Sequence, residues 1–344
     1  MDRHLIADKA KIIDAVRALN SLSGGVMTLF VGDSRGRVTG TVTDGDVRRA
    51  LLGGVSVDDP VSKAANTRFK ALRGERIDLR LLRQYRKANV RLIPRLDGEG
   101  KIVEIIDTTK TPTRLPVGAI LMAGGKGERL RPLTLTTPKP LLKIGDRPII
   151  DYNIEALRRC GVERIYVTVN YMAEKIEAHF AGTGVECVRE DRPLGTIGAA
   201  ALVDLPEEGS TIVMNSDLLT TISFEEMFLH HEDENADITI AAVPYNVSVP
   251  YAILTTDGPL VTNLEEKPSY AYYANAGIYI FSNRLLRKLS PDRRTDATDL
   301  IEAAIASGKR VGYFPISGTW IDIGSPTDYA HAKELMRHHL DSRR

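Results

Sequence analysis

The chain is short of cysteine, carries a single tryptophan, has no surplus of either charge and contains no long apolar run, and each shortage excludes something. Cys160 and Cys187 are its only cysteines, too few for a disulfide framework and without metal-ligand spacing. Two reduced, buried thiols and a cytoplasmic setting are therefore expected. The 46 basic and 45 acidic residues leave a formal net charge of +1 and are interspersed throughout. That balance gives no footprint for nucleic acid or an anionic membrane as the main partner. No apolar stretch reaches the ~18 residues of a spanning helix, and no basic-then-apolar leader opens the sequence, so membrane insertion and secretion are not expected. A length of 344 residues suits two domains, each with its own core.

What the chain does contain is concentrated between Leu121 and Leu141, LMAGGKGERLRPLTLTTPKPL. Gly124, Gly125 and Gly127 remove side chains where backbone must wrap phosphate oxygens, while Arg129 and Lys139 add fixed positive charge beside the loop. The preceding run Val117–Met122 is short and apolar and predicts a buried parallel strand, which puts the loop at a strand's carboxyl end, where open α/β sheets bind ligands. The spacing matches neither a Walker A loop nor a dinucleotide fingerprint. Downstream, strands predicted at 164–169 and 211–215 alternate with a helix at 173–180, as a doubly wound sheet requires. Asp217 follows the apolar run TIVMNSD, at a strand end facing the same ligand.

GGKGERLRPLT followed by PKPLLKI resembles the signature of the sugar-phosphate nucleotidyltransferases, over roughly residues 116 to 330. The resemblance implies a Rossmann-like, mixed and mostly parallel sheet over 117–340, and transfer of a nucleotidyl group to a sugar 1-phosphate with release of pyrophosphate. It implies that Leu121, Ala123, Gly124, Gly125 and Gly127 hold the nucleotide, that Arg129 and Lys139 serve the phosphates, and that Asp217 and Asp322 of WIDIG bind Mg²⁺ or Mn²⁺. In the same way Glu266 and Lys267 of EEKP, Asn275 of NAGIY, and Tyr251 and Ala252 imply a sugar-phosphate site. Relatives commonly have Gly where Ala252 stands, so the sugar does not carry over. Glu190, Gly195 and Thr196 of the EDRPLGTIGA segment would read base and ribose. An ionised Glu190 only accepts hydrogen bonds and guanine presents two adjacent donors, so GTP is favoured over another nucleoside triphosphate. A uridylyl- or cytidylyltransferase, or a silent nucleotide-binding regulatory subunit, stays open.

Upstream, residues 30–51 predict strand, turn, strand and a helix capped by Asp44 or Asp46. A weaker copy occupies 92–107, and amphipathic helices at 10–20 and 78–87 precede the two copies, indicating an internal repeat of about 60 residues. GTVTDGDVRRAL resembles the end of a cystathionine-β-synthase-type (CBS) repeat. The implication is an α+β tandem CBS pair over 1–112, with Gly40, Thr43 and Asp46 holding an adenine nucleotide. In the second copy Glu104, Asp107 and Lys110 stand at those positions, so one nucleotide site at most is expected. The alternative for this module is an assembly platform without ligand. The proline-bearing TKTPTRLP segment from Thr109 to Pro116 is the expected seam, and a homo-oligomer is expected.

Overall fold

The computed structural model describes residues 2–341, and the chain divides into two compact units, Met1–Arg114 and Leu115–Arg344. The first unit is built twice over the same plan. Strand β1 (Leu5–Ala7), helix α1 (Ile12–Ser21), strands β2 (Thr28–Gly32) and β3 (Val38–Thr43) and helix α2 (Asp44–Leu52) form the first half. Strand β4 (Leu72–Arg73), helix α3 (Leu79–Lys87) and strands β5 (Leu92–Leu96) and β6 (Ile102–Asp107) form the second. Each half is a three-stranded sheet with its first pair parallel and its second antiparallel.

The turns repeat too, because the same aspartate closes both. Asp33 accepts from the backbone N–H groups of Arg35 and Arg37, and Asp97 from those of Glu99 and Lys101, all at 2.9 Å. These are Asx turns, in which a short carboxylate replaces a backbone acceptor. Ile12, Ala15 and Leu19 recur on one face of α1 and pack with Leu29, Val31 and Val42, giving the first half its core.

In the second unit β7 (Gly118–Met122) opens a seven-stranded sheet. There follow the hairpin β8 (Lys143–Ile144) and β9 (Arg147–Pro148), α4 (Ile149–Arg159), β10 (Ile165–Val169), α5 (Ala173–Phe180) and β11 (Glu186–Arg189). Next come β12 (Ser210–Asn215), β13 (Leu218–Thr220), α6 (Phe224–Asp233), β14 (Ile238–Ser248), β15 (Ile253–Asp257), β16 (Leu260–Glu265) and β17 (Ser269–Ser282). The remaining elements are α7 (Asn283–Leu286), α8 (Ala297–Ala306), β18 (Val311–Pro315), β19 (Trp320–Asp322) and α9 (Pro326–Asp341).

The order across the sheet is β11-β10-β7-β12-β17-β14-β18, and only β17 runs against the others. The fold is therefore mixed α/β with a largely parallel central sheet. β7, β10 and β12 are apolar along most of their length because both faces are covered. The chain leaves β7 toward β10 on one side and later returns to its other side as β12. That reversal opens a crevice at the carboxyl ends of β7 and β12, the usual ligand position in such sheets.

Two local expectations need correction. The N-cap of α2 is Thr43, whose hydroxyl accepts from the Asp46 N–H while Asp46 accepts from the Thr43 N–H, a reciprocal capping box. Cys160 and Cys187 are free thiols but only half-buried. At Gly40 the backbone is closely approached, since a Cβ there would stand 3.0 Å from the Ala65 methyl and 3.2 Å from the Asn66 carbonyl oxygen.

Candidate active site

The crevice gathers charge from four separate stretches of chain. The Gly-rich loop leaves β7, and its conformation depends on Gly127. This residue has φ +60, and a Cβ there would stand 3.0 Å from Thr134 Cγ2 and 3.1 Å from Lys139 Cβ. A bare backbone at that point lets the loop fold back onto the Lys139–Leu141 turn, and the Thr134 hydroxyl donates to the Gly127 carbonyl at 2.9 Å. Lys139 is thereby presented to the end of β12.

There its ammonium donates to Asp217 Oδ2 and lies 3.9 Å from Asp322 Oδ1. The two carboxylates are brought together by the antiparallel pairing of β13 with β19, which sets Leu218 opposite Asp322, and the Ile323 N–H bonds the Asp217 carbonyl. Burial, together with the Asp217 charge, holds the Asp322 carboxyl above the usual carboxylate range, against the opposing pull of Lys139 and Arg129. Arg129 lies over the backbone of Gly324, where a Cβ would stand 3.1 Å from its guanidinium.

Asp217 Oδ1 is buried and has no hydrogen-bond partner. An unpaired buried carboxylate oxygen is costly, and a hard divalent cation that takes one or two carboxylates plus phosphate oxygens would satisfy it. The donor set of Asp217 and Asp322 fits such an ion. Among the described residues no group of three or more His, Cys, Asp or Glu side chains forms a self-sufficient metal cage. A site shared with the substrate's phosphates does not need one.

Leu121 and Ala123 are buried at the end of β7 and Gly125 is exposed on the loop. Glu190, expected to read the base, is enclosed by its neighbours. It is 6% exposed, its Oε2 accepts from the Leu194 N–H at 2.9 Å, and a Cβ on Gly124 would meet its Oε1 at 2.8 Å. Burial pushes its carboxyl up. One oxygen is thus committed to the protein, and the other faces the Gly-rich loop.

Gly195 and Thr196 are engaged from a distant stretch of chain. The Gly195 φ is +88 with the Thr295 carbonyl oxygen 2.4 Å from a hypothetical Cβ. The Thr196 hydroxyl accepts from the Ala297 N–H at 2.8 Å at the start of α8. Glu266 and Lys267 are exposed in the turn between β16 and β17, where Lys267 has φ +44, and Tyr251 and Ala252 are exposed just before β15. Asn275 lies on β17, its side-chain oxygen accepting from the Gly277 N–H. These five belong to a long, exposed arm formed by the outer halves of β14 and β17 with the β15–β16 hairpin. No hydrogen bond or ion pair between described residues ties Lys267 to Arg129, Lys139, Asp217 or Asp322.

Sequence reasoning missed Asn153. This buried residue of α4 donates to the carbonyls of Leu218 and Ser216 at 2.9 and 3.4 Å, fixing the turn that carries Asp217. The signal was available as one amide on the apolar face Ile149–Ile150–Ile154. Gly324 was also missed as the floor beneath Arg129.

The nucleotidyl transferase family signature matches residues 118–339, well over half of the chain. The chain belongs to the nucleotidyl transferase family. It is similar to the mannose-1-phosphate guanylyltransferase catalytic subunit beta of Danio rerio, 32% identical over 224 residues, covering 61% of this chain and 62% of that protein. The mannose-1-phosphate guanyltransferase of Schizosaccharomyces pombe is likewise 32% identical, over 226 residues, covering 61% of this chain and 62% of that protein. The chain thus spans about three fifths of the length of these curated relatives. Among solved structures, HddC from Yersinia pseudotuberculosis superimposes with a TM-score of 0.51 at 26% identity, covering 64% of this chain and 99% of that one. The same protein complexed with GMP-PN gives 0.50 at 25%. Both superpositions leave about a third of this chain uncovered.

Proposed function

We propose that the chain transfers GMP from GTP to a sugar 1-phosphate, releasing pyrophosphate. The observation that carries this reading is the convergence of Arg129, Lys139, Asp217 and Asp322 on the Gly-rich loop at the sheet's switch point. Nucleotidyl transfer asks a protein mainly for positioning and charge neutralisation. A sugar phosphate is already an anionic nucleophile at neutral pH, so no general base is required. One of its oxygens forms the new bond to the α-phosphorus of GTP as the bond from that phosphorus to the β-phosphate oxygen breaks, and pyrophosphate carries the charge away.

Family members generally use divalent metal ions, and Asp217 and Asp322 would hold Mg²⁺ or Mn²⁺ here. Such an ion would neutralise triphosphate charge. The protein's own cations do the rest. Arg129, exposed and without an ion-pair partner among the described residues, is free to bind the phosphates. Lys139 is released from Asp217 to bridge the α-phosphate and the incoming sugar phosphate. On the exposed arm, Lys267 would take the sugar's phosphate, Glu266 and Asn275 its hydroxyls, and Tyr251 with Ala252 would border the sugar.

Guanine is the proposed base because Glu190 Oε1 faces the loop as an acceptor, and because the relatives named above are guanylyltransferases or bind a guanine nucleotide. Gly195 and Thr196 would contribute through the backbone they hold in place. We further propose that residues 1–112 form a CBS-type pair that regulates or assembles the enzyme, with Gly40, Thr43 and Asp46 at an adenine-nucleotide site, and that 117–340 is the transferase domain of a homo-oligomer. A pyrophosphate-release assay over the four nucleoside triphosphates and a panel of sugar 1-phosphates tests the main reading. Turnover with GTP and mannose 1-phosphate supports it, and no release with any pair rejects it.

A further inference from the structure

The connection from β10 to α5 runs beside the Gly-rich loop and the turn that follows it. The parallel pairing of β7 with β10 continues past the end of β7, the Ala123 N–H bonding the Thr168 carbonyl at 2.9 Å and the Tyr171 N–H bonding the Gly124 carbonyl at 3.4 Å. Met172 then takes φ +52, a left-handed conformation uncommon away from glycine, and α5 begins at Ala173. The Tyr171 hydroxyl donates to the Thr134 carbonyl at 3.2 Å, and the Lys175 ammonium, on the first turn of α5, donates to the Thr136 carbonyl. We propose that Tyr171 and Lys175 are positioning residues for the triphosphate, which hold the 134–136 turn, and through it Gly127 and Lys139, where the phosphates bind. The proposal rests on the transferase reading for what the loop binds.

The turn has little else to hold it. Leu133 and Leu135 are 44% and 53% exposed, so apolar packing does not anchor it, and within 133–136 only Thr134 is buried. The Thr134 hydroxyl is committed to the Gly127 carbonyl, and a Cβ on Gly127 would stand 3.0 Å from its methyl. Among the described residues, the hydrogen bonds that tie 133–136 to another secondary element or its connection come from Tyr171 and Lys175. Thr137 and Pro138 alone separate Thr136 from Lys139, whose ammonium meets Asp217. A shift of the turn is therefore a shift of Lys139.

Lys175 reaches a backbone carbonyl although α5 carries Glu174 and Glu177. Both glutamates pair with Arg189 of β11, at 3.0 and 2.7 Å, which leaves the ammonium to Thr136. A charged donor on a carbonyl makes a stronger bond than two neutral groups do. The residue before Tyr171 serves the other end of the nucleotide site. The Asn170 amide donates to the Glu190 carbonyl at 2.9 Å, and a Cβ on Gly124 would stand 3.3 Å from the Asn170 Cβ. The base-reading stretch and the phosphate turn are thus held by adjacent residues through separate bonds. Removing the Tyr171 hydroxyl leaves the Asn170 bond in place, so its signature is a weaker hold on phosphate without a change in base preference.

Tyr171→Phe removes one hydroxyl and keeps the ring, Lys175→Met removes the charge and keeps the stem, and Lys175→Arg keeps a charged donor and should rescue. Thermal unfolding of the full-length proteins reports that each folds. Hydrogen exchange read by mass spectrometry without ligand should be faster across 124–139 in the first two variants and as in the parent in Lys175→Arg. Inorganic tripolyphosphate with Mg²⁺ should protect the same amides in the parent, and the first two variants should need about 3- to 10-fold more of it, the worth of one hydrogen bond. Neither readout needs turnover, so both stand apart from a failure of the transferase reading, which the pyrophosphate-release assay reports. Where the parent turns over, KM for GTP should rise by the same factor, with KM for the sugar phosphate and the preference among nucleoside triphosphates as in the parent. Exchange unchanged in the folded Tyr171→Phe and Lys175→Met proteins, no tripolyphosphate protection of the parent at 124–139, a loosened loop that binds tripolyphosphate as tightly as before, or equal rises in both KM values would overturn the proposal.

Discussion

The ammonium of Lys139 stands between two carboxylates, bonded to Asp217 and 3.9 Å from Asp322. A single lysine cannot satisfy both acids, and Asp217 Oδ1 remains without a partner. On the proposed reading this negative charge receives the metal ion, with Lys139 as the neutralising group until then.

Replacing Asp217 or Asp322 by Asn should therefore lower turnover at least ~10²-fold in the presence of Mg²⁺. Initial rates across a Mg²⁺ titration check it. An Asp217→Asn protein of near-normal activity at ordinary Mg²⁺ would remove the metal assignment.

Gly127→Ala separates loop geometry from charge, since it alters no ionisable group. The residue is held at φ +60 with Thr134 and Lys139 within 3.1 Å of the added methyl. Strain at positive φ together with overpacking should cost about 1–3 kcal/mol of stability and shift Lys139. Urea unfolding measures the first, and a raised KM for the triphosphate reads the second.

Arg129 and Lys267 should divide their labour. Arg129→Ala should lower kcat, because its guanidinium would act on charge developing in transfer. Lys267→Ala should mainly raise KM for the sugar phosphate. Steady-state kinetics with each substrate varied in turn checks the division, and matching changes in both substrates' KM values would contradict it.

The buried His231 gives a pH prediction for the fold. Its Nδ1 lies 2.8 Å from the Thr239 hydroxyl and its Nε2 3.1 Å from the Ser210 hydroxyl, and burial lowers its pKa to about 4. Between about 4 and the ordinary 6.5 the unfolded chain binds a proton that the folded chain does not. Stability from this residue is thus present above pH 6.5 and falls as the pH drops, by about 3 kcal/mol in all. Urea unfolding at pH 7 and pH 5 should show a smaller loss in His231→Gln than in the parent.

How much of this was legible in the sequence depended on how local each feature is. The Gly-rich loop, β7 and the strand before Asp217 are set by short runs of residue type, and they lie where the pattern places them. Asp322 was legible through its WIDIG segment, yet its proximity to Asp217 is created by the β13–β19 pairing between stretches a hundred residues apart. The burial of Glu190 was not legible for a similar reason, because it comes from Gly124 and Leu194 folding against it. Gly195 and Thr196 read as ligand contacts, while their visible partners are Thr295, Asp296 and Ala297. In the first unit the helix cap at Thr43 depends on its reciprocal bond with Asp46, which the sequence shows only as two polar residues three apart.

The measurement closest to the central claim is the specificity of pyrophosphate release with mannose 1-phosphate and Mg²⁺, comparing GTP with UTP, CTP and dTTP. An acceptor at Glu190 Oε1 suits the donors of guanine and opposes a pyrimidine carbonyl, so GTP should be used at least ~10-fold better by kcat/KM. A clear preference for UTP, CTP or dTTP would contradict the account.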